Sequence, residues 1–214
     1  MNSPDWKSRF LVSRDNAAQA GAAGWYGRGY LPHLDREYIT QFITFRLADS
    51  LPAEVIKSWQ SELKHLPDEE AMIERFRRVE HYLDSGCGAC WLRDERIAGL
   101  VQDALLHFHE DRYLLRAWCV MPNHVHALVT PQTTWSLEKI THSWKSWTAH
   151  AASKILARQG DFWMRESFDR YIRDETHFHR VVHYIEHNPV KAGLCEKPAD
   201  WKWSSARWRQ QSQT

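Results

Sequence analysis

The chain has 214 residues, 43% of them apolar and 26% charged, with 28 Lys and Arg against 27 Asp and Glu. This composition excludes a mostly disordered chain, and the length suits one well-cored domain. The net charge of +1 hides an uneven distribution: residues 49–111 carry 7 basic against 14 acidic side chains, and residues 112–214 carry 15 against 9, so a polyanion is expected to meet the second half.

No stretch approaches membrane-spanning length and none reads as a signal peptide. Of the four cysteines, Cys87 and Cys90 form a lone Cys-x-x-Cys beside Gly86 and Gly88, with no second pair to complete a zinc site. The expected compartment is the reducing cytoplasm. Exposed members of the twelve tryptophans would offer stacking surfaces to unpaired bases.

Residues 1–24 are polar and rich in Ala and Gly, without periodicity, and read as a flexible N-terminal arm. The stretch Trp25-Tyr26-Gly27-Arg28-Gly29-Tyr30 joins aromatic rings to backbone freedom. Arg28 and Tyr30 are candidate nucleic-acid contacts there, and an aromatic loop packed on the domain is the competing reading. Alternation over 38–47 predicts a strand with Ile39, Ile43, Phe45 and Leu47 on one side and Tyr38, Thr40, Thr44 and Arg46 on the other. Pro52 opens a helix to about His65, and Asp68 opens a second to about Asp84, stopped by Gly86.

A third helix follows from Ile97, Leu100, Val101, Ala104, Leu105 and Phe108. It brings His107 and His109 near its end, where a two-residue spacing turns them to opposite sides. Residues 113–120 and 123–130 are two apolar strands around Met121-Pro122, expected to pair antiparallel. Successive strand side chains alternate between faces, so His124 and His126 share one face.

Ser136 caps a long helix with a Leu137, Ile140, Trp144, Trp147, Ala151 and Ile155 stripe, ended by Gly160. A short extended crossing follows around Phe162-Trp163 and Ser167-Phe168. The last helix is predicted from about Glu175 to His187, stopped by Asn188-Pro189, and the Trp201-to-Trp208 tail is expected to dock on the domain. Residues 25–214 thus read as a single domain with a helical insertion at 52–84 and a Trp-rich tail. No role attaches to the acidic insertion from its sequence.

Two neutral imidazoles on one face are ligands for a divalent ion, but two are not a complete site. Tyr184 and Asn188, four apart, stack on one helix face. If that face meets the histidine face, Asn188 supplies an oxygen ligand and Tyr184 a nucleophile. A phenol is weak at neutral pH and needs a polarised electrophile such as a metal-bound phosphodiester.

Met121-Pro122-Asn123-His124-Val125-His126 and Tyr184-Ile185-Glu186-His187-Asn188-Pro189-Val190-Lys191-Ala192-Gly193 resemble the single-tyrosine HUH transposases, and within them the REP-associated tyrosine transposases. Gly29-Tyr30-Leu31-Pro32-His33, Phe42 to Leu47 and Trp201-Lys202-Trp203-Ser204-Ser205 extend the likeness. The resemblance implies an α+β, ferredoxin-like fold: an antiparallel sheet with packed helices. It implies His124 and His126 as ligands of Mg²⁺ or Mn²⁺, with Asn188 where relatives place a third polar ligand, often Gln. Tyr184 is the implied attacking residue, through a 5′-phosphotyrosine.

The implied partner is single-stranded DNA folded into a hairpin, in a bacterial, nucleoid-associated setting, with the protein a monomer or a homodimer. Arg165, Arg170, Arg173, Arg180 and Lys191 are candidate phosphate contacts. The competing function is a hairpin-binding protein that no longer cleaves.

Overall fold

The computed structural model describes residues 25–28, 31–34 and 39–211, with side chains from residue 39 onward except those of Asp68, Glu69 and Met72. The expected arm at 1–24, Tyr30, Tyr38 and the side chain of Arg28 lie outside the described residues. Residues 25–28, for which a loop is one of two sequence readings, form strand β1 (Trp25–Arg28), which pairs antiparallel with β2 (Leu31–Leu34).

Four further strands form one antiparallel sheet: β3 (Gln41–Arg46), β4 (Tyr113–Val120), β5 (His124–Pro131) and β6 (Phe168–Tyr171), in the order β4-β5-β3-β6. Helix α1 (Ala53–Glu62) and α2 (Asp68–Asp84) follow β3. Helix α3 (Glu95–His107) precedes β4, and α4 (Leu137–Ile155) joins β5 to β6. With α1 and α2 set aside as an insertion, the path β3-α3-β4-β5-α4-β6 is the split βαβ of a ferredoxin-like α+β domain, as expected. No helix among the described residues is long and apolar enough to cross a membrane.

The alternation of the strands divides the interior in two. Ile43, Phe45, Val125, Ala127 and Val129 point to one face and pack with Val101 and Leu105 of α3 and Ile140 and Trp144 of α4. Trp144 is held within this layer by its indole N–H, which donates to Tyr113 Oη at 2.8 Å, while that hydroxyl donates to the Leu105 carbonyl at 2.9 Å. A buried indole without such a partner would leave its donor unsatisfied.

The opposite face carries Phe42, Ala117, Cys119 and Leu128. It is covered by Ile185 of α5 (Glu175–Lys191), with Phe76 of α2 at its margin. Strand β5, central and covered on both faces, is buried along all eight residues. The tail docks as expected: Val120 N–H donates to the Trp203 carbonyl at 2.9 Å and Trp201 Nε1 to the Val120 carbonyl at 3.0 Å, before α6 (Ser205–Gln211).

Helix ends differ from their sequence expectations: α1 closes at Glu62, with Leu63–His65 a 3-10 turn beyond it, and α4 closes at Ile155 rather than at Gly160. Helix α5 does not stop at Asn188-Pro189 but continues to Lys191 with Pro189 inside it. Proline in the last turn forfeits a single intrahelical hydrogen bond. The turn closes regardless, because the Ala192 N–H donates to the Asn188 carbonyl at 2.9 Å.

Candidate functional site

His124 and His126 open strand β5 on the face that α5 covers, and both are wholly buried. Their backbone is pinned at the β4–β5 turn, where Met121 N–H donates to the His124 carbonyl and Leu47 N–H to the Asn123 carbonyl, each at 2.9 Å. Side-chain partners fix the rings. Asn123 Nδ2 donates to the Cys87 carbonyl at 2.9 Å, which leaves Asn123 Oδ1 to accept from His124 Nδ1 at 2.7 Å. The proton of His124 therefore sits on Nδ1, and its Nε2 lone pair is bare.

His126 follows the same logic. Its Nδ1 lies 2.8 Å from Thr44 Oγ1. Asn188 Nδ2 lies 3.2 Å from His126 Nε2, and an amide nitrogen only donates, so His126 Nε2 accepts and its proton sits on Nδ1, which donates to Thr44 Oγ1. The two Nε2 atoms face each other across 3.0 Å. Burial, reinforced by the Lys191 charge, pushes His124 down to about 3; burial and then the neighbouring His124 hold His126 well below the usual imidazole range. Both rings are thus neutral at physiological pH, and the 3.5 Å approach of His126 Nε2 to Glu80 Oε2 is a contact rather than an ion pair.

Helix α5 brings Tyr184 and Asn188 to this pair, so the sequence-predicted four converge within one chain. The Tyr184 ring lies 5.4 Å from the His126 ring and 5.8 Å, edge on, from Phe42, which stacks on His126 at 5.4 Å. Asn188 Nδ2 reaches His126 Nε2 at 3.2 Å, and its Oδ1 is buried with no hydrogen-bond partner. Two imidazole nitrogens that carry no proton and an orphaned amide oxygen are a donor set that suits a divalent ion. The 3.0 Å nitrogen separation fits two ligands of one ion at about 2.1 Å each. Among the described residues no three His, Cys, Asp or Glu side chains group as a metal site.

The residue that sequence reasoning missed is Glu80, from the insertion. It is 5% exposed, and its Oε2 accepts from the Tyr184 hydroxyl while Oε1 has no partner. Burial drives its carboxyl up to about 7, against the opposing pull of the Tyr184 hydrogen bond. Burial, then the Glu80 charge, raises the Tyr184 phenol far above its usual range. Helix α2 is seated by Phe76, stacked 4.0 Å from Phe168, and by a 2.6 Å ion pair between Asp84 and Lys191. Lys191 is therefore engaged with the insertion. A signal for Glu80 existed: Phe76, Glu80 and Leu83 recur at helical spacing, which puts a carboxylate on an apolar stripe.

The cationic candidates divide. Arg170, Arg173 and Arg180 line one open cavity of about 320 Å³ with Asp174, Thr176 and His177 at the start of α5. Arg165 is not part of it; its carbonyl accepts from Lys145 Nζ at 2.7 Å. The Cys-x-x-Cys segment is a turn that carries the Asn123 anchor. Gly88 within it has φ +86°, and a Cβ there would stand 2.9 Å from the Asp49 carbonyl oxygen. Gly88→Ala is expected to lower stability by about 1–3 kcal/mol, read as a shift in the urea midpoint. An unchanged midpoint would mean that the turn yields freely.

Residues 95–188 match the family model described as Transposase IS200 like. A REP-associated tyrosine transposase of Escherichia coli (strain K12) is 28% identical over 108 residues, 50% of this chain and 62% of that protein. A putative REP-associated tyrosine transposase of Haemophilus influenzae is 27% identical over 99 residues, 42% of this chain and 56% of that protein. Each match thus spans less than two thirds of the relative. A solved structure of a REP-associated tyrosine transposase bound to a REP hairpin aligns with TM-score 0.50 at 19% identity, covering 84% of this chain and 81% of that one. That likeness is one of fold.

Proposed function

The chain resembles the REP-associated tyrosine transposases and matches the IS200-like transposase family over residues 95–188, and on that premise we propose that it cleaves and rejoins single-stranded DNA at hairpin-forming elements through a 5′-phosphotyrosine on Tyr184. The observation that carries this reading is the convergence of Tyr184 and Asn188 of α5 on His124 and His126 of β5, all in one chain. His124 Nε2, His126 Nε2 and Asn188 Oδ1 would hold Mg²⁺ or Mn²⁺. Such an ion supplies Lewis-acid polarisation of a phosphate oxygen.

The rest of the chemistry belongs to side chains. Asn123 and Thr44 keep both imidazoles in the tautomer that offers Nε2. Tyr184 Oη attacks phosphorus in line with the departing 3′-oxygen, and the phosphodiester is conserved as a tyrosyl ester ready for a later 3′-hydroxyl. Arg170, Arg173 and Arg180, gathered at one cavity, are suited to phosphates flanking the cut. A second reading, hairpin binding without cleavage, draws on the full burial of both histidines beneath α5.

The test is an incubation with a hairpin oligonucleotide bearing single-stranded flanks and Mn²⁺, resolved under denaturing conditions. The 3′-labelled fragment is expected to travel with the protein, the 5′-labelled fragment to end in a free 3′-hydroxyl, and both products to vanish on chelation. A retarded hairpin without any adduct would favour the binding protein. Cleavage without an adduct would make water the nucleophile.

A further inference from the structure

We propose that Glu80, delivered by the acidic insertion, is the general base of the reaction, taking the phenolic proton of Tyr184 as its oxygen attacks the phosphodiester. The inference rests on the reading of Tyr184 as nucleophile and deepens it. Its ground is geometric. The Tyr184 hydroxyl donates to Glu80 Oε2, and a proton acceptor must stand within hydrogen-bond reach of the proton it removes. Glu80 Oε1 has no hydrogen-bond partner.

The placement is not an accident of one rotamer. Helix α2 is clamped on the histidine face at two other points, the Phe76–Phe168 stack and the Asp84–Lys191 pair, one turn to either side of Glu80. Those contacts set the carboxyl against α5 where Tyr184 lies. A buried carboxyl, 5% exposed and fixed by an inserted helix, is costly unless its neighbourhood uses it.

The step balances. In cleavage the Tyr184 Oη–P bond forms and the P–O3′ bond breaks. The phenolic proton passes to Glu80 Oε2, and the departing 3′-oxygen takes a proton from water. In rejoining a 3′-hydroxyl attacks the same phosphorus and gives up its proton to water, the Tyr184 Oη–P bond breaks, and Glu80 returns its proton to the phenolate. The insertion thereby acquires a role that its acidic composition alone does not disclose.

Glu80→Gln keeps the volume and a carbonyl to accept from Tyr184 but cannot take the proton. Single-turnover adduct formation at saturating hairpin and Mn²⁺ is expected to fall about 10²–10³-fold, with Mn²⁺ affinity and hairpin Kd unchanged. A ring-fluorinated, more acidic tyrosine incorporated at position 184 is expected to restore about tenfold or more of the loss in Glu80→Gln and to change the parent little. In the unsubstituted protein, a normal solvent deuterium isotope effect on adduct formation is expected, which tests the step without any variant.

Adduct formation by Glu80→Gln at or above the parent rate would overturn the proposal, and a faster rate would make Glu80 a brake on Tyr184. A loss matched by weakened Mn²⁺ binding and indifferent to tyrosine acidity would overturn it in favour of a ligand role. An unsubstituted protein that forms no adduct overturns both this inference and the tyrosine reading; an adduct with equal Glu80→Gln kinetics overturns this inference alone.

Discussion

Tyr184→Phe is expected to bind the hairpin as tightly as the parent chain and to form no adduct with it, a loss of roughly 10⁴-fold or more in cleavage. The substitution removes one atom, the oxygen that attacks, and leaves the ring whose centroid lies 5.8 Å from that of Phe42 and 5.4 Å from that of His126, T-shaped in both pairs. Packing of α5 on the sheet is therefore preserved, and with it the anchors made by Ile185 and Asn188. What changes locally is Glu80, which loses a donor that had been holding its pKa down, so its buried carboxyl is expected to stay protonated to higher pH. The accompanying stability loss, about 1–3 kcal/mol for a lost hydrogen bond to a carboxylate, is read by urea unfolding. The denaturing gel reads the chemistry, and an adduct surviving in Tyr184→Phe would remove Tyr184 from the mechanism.

The elements most legible in the sequence are those that a local period writes. Helix α2 spans Asp68–Asp84 as its start and stop residues indicate, and β4 and β5 pair as the apolar runs around Met121-Pro122 require. The face shared by His124 and His126 follows from strand alternation, and the Tyr184–Asn188 alignment from helical spacing. Continuation of α5 through Pro189 strengthens that alignment, because Asn188 lies within the helix rather than beyond its end. The composition of the site was less legible where it depends on contacts between distant segments. Thr44 meets His126 across 82 residues and Tyr184 meets Glu80 across 104, and no local pattern encodes either pairing. Glu80 was further masked by its setting: the same helix carries Glu74 in exposed pairs with Arg77 and Arg78, the ordinary fate of charge on a solvated helix. Only its place on the Phe76–Leu83 stripe distinguishes it.

His126→Ala is expected to have two separable effects. Cleavage falls by at least about 10³-fold because the variant loses a donor of the proposed ion site, while the ferredoxin-like core on the far face of the sheet is untouched. The second effect appears in the metal-free protein as a change in the pH dependence of stability. Folded His124 and His126 stay neutral far below pH 6.5, whereas the unfolded chain protonates both as pH falls through that value. Each therefore lowers stability by about 1.4 kcal/mol per pH unit on acidification. Glu80 acts in the opposite sense. Its folded pKa of about 7 exceeds the unfolded value of 4.5, so in that window the folded state holds a proton that the unfolded state lacks. Between pH 4.5 and 6.5 these three groups leave a net of one proton taken up on unfolding, and stability rises with pH by about 1.4 kcal/mol per unit. Removing His126 cancels that net. Urea midpoints of chelated protein across the window are expected to give a slope lower by about 1.4 kcal/mol per unit in His126→Ala, whatever constant offset the cavity adds. Equal slopes in the two proteins would mean that His126 is already solvated or charged in the metal-free fold, and the neutral, Nε2-bare pair on which the ion site depends would have to be given up.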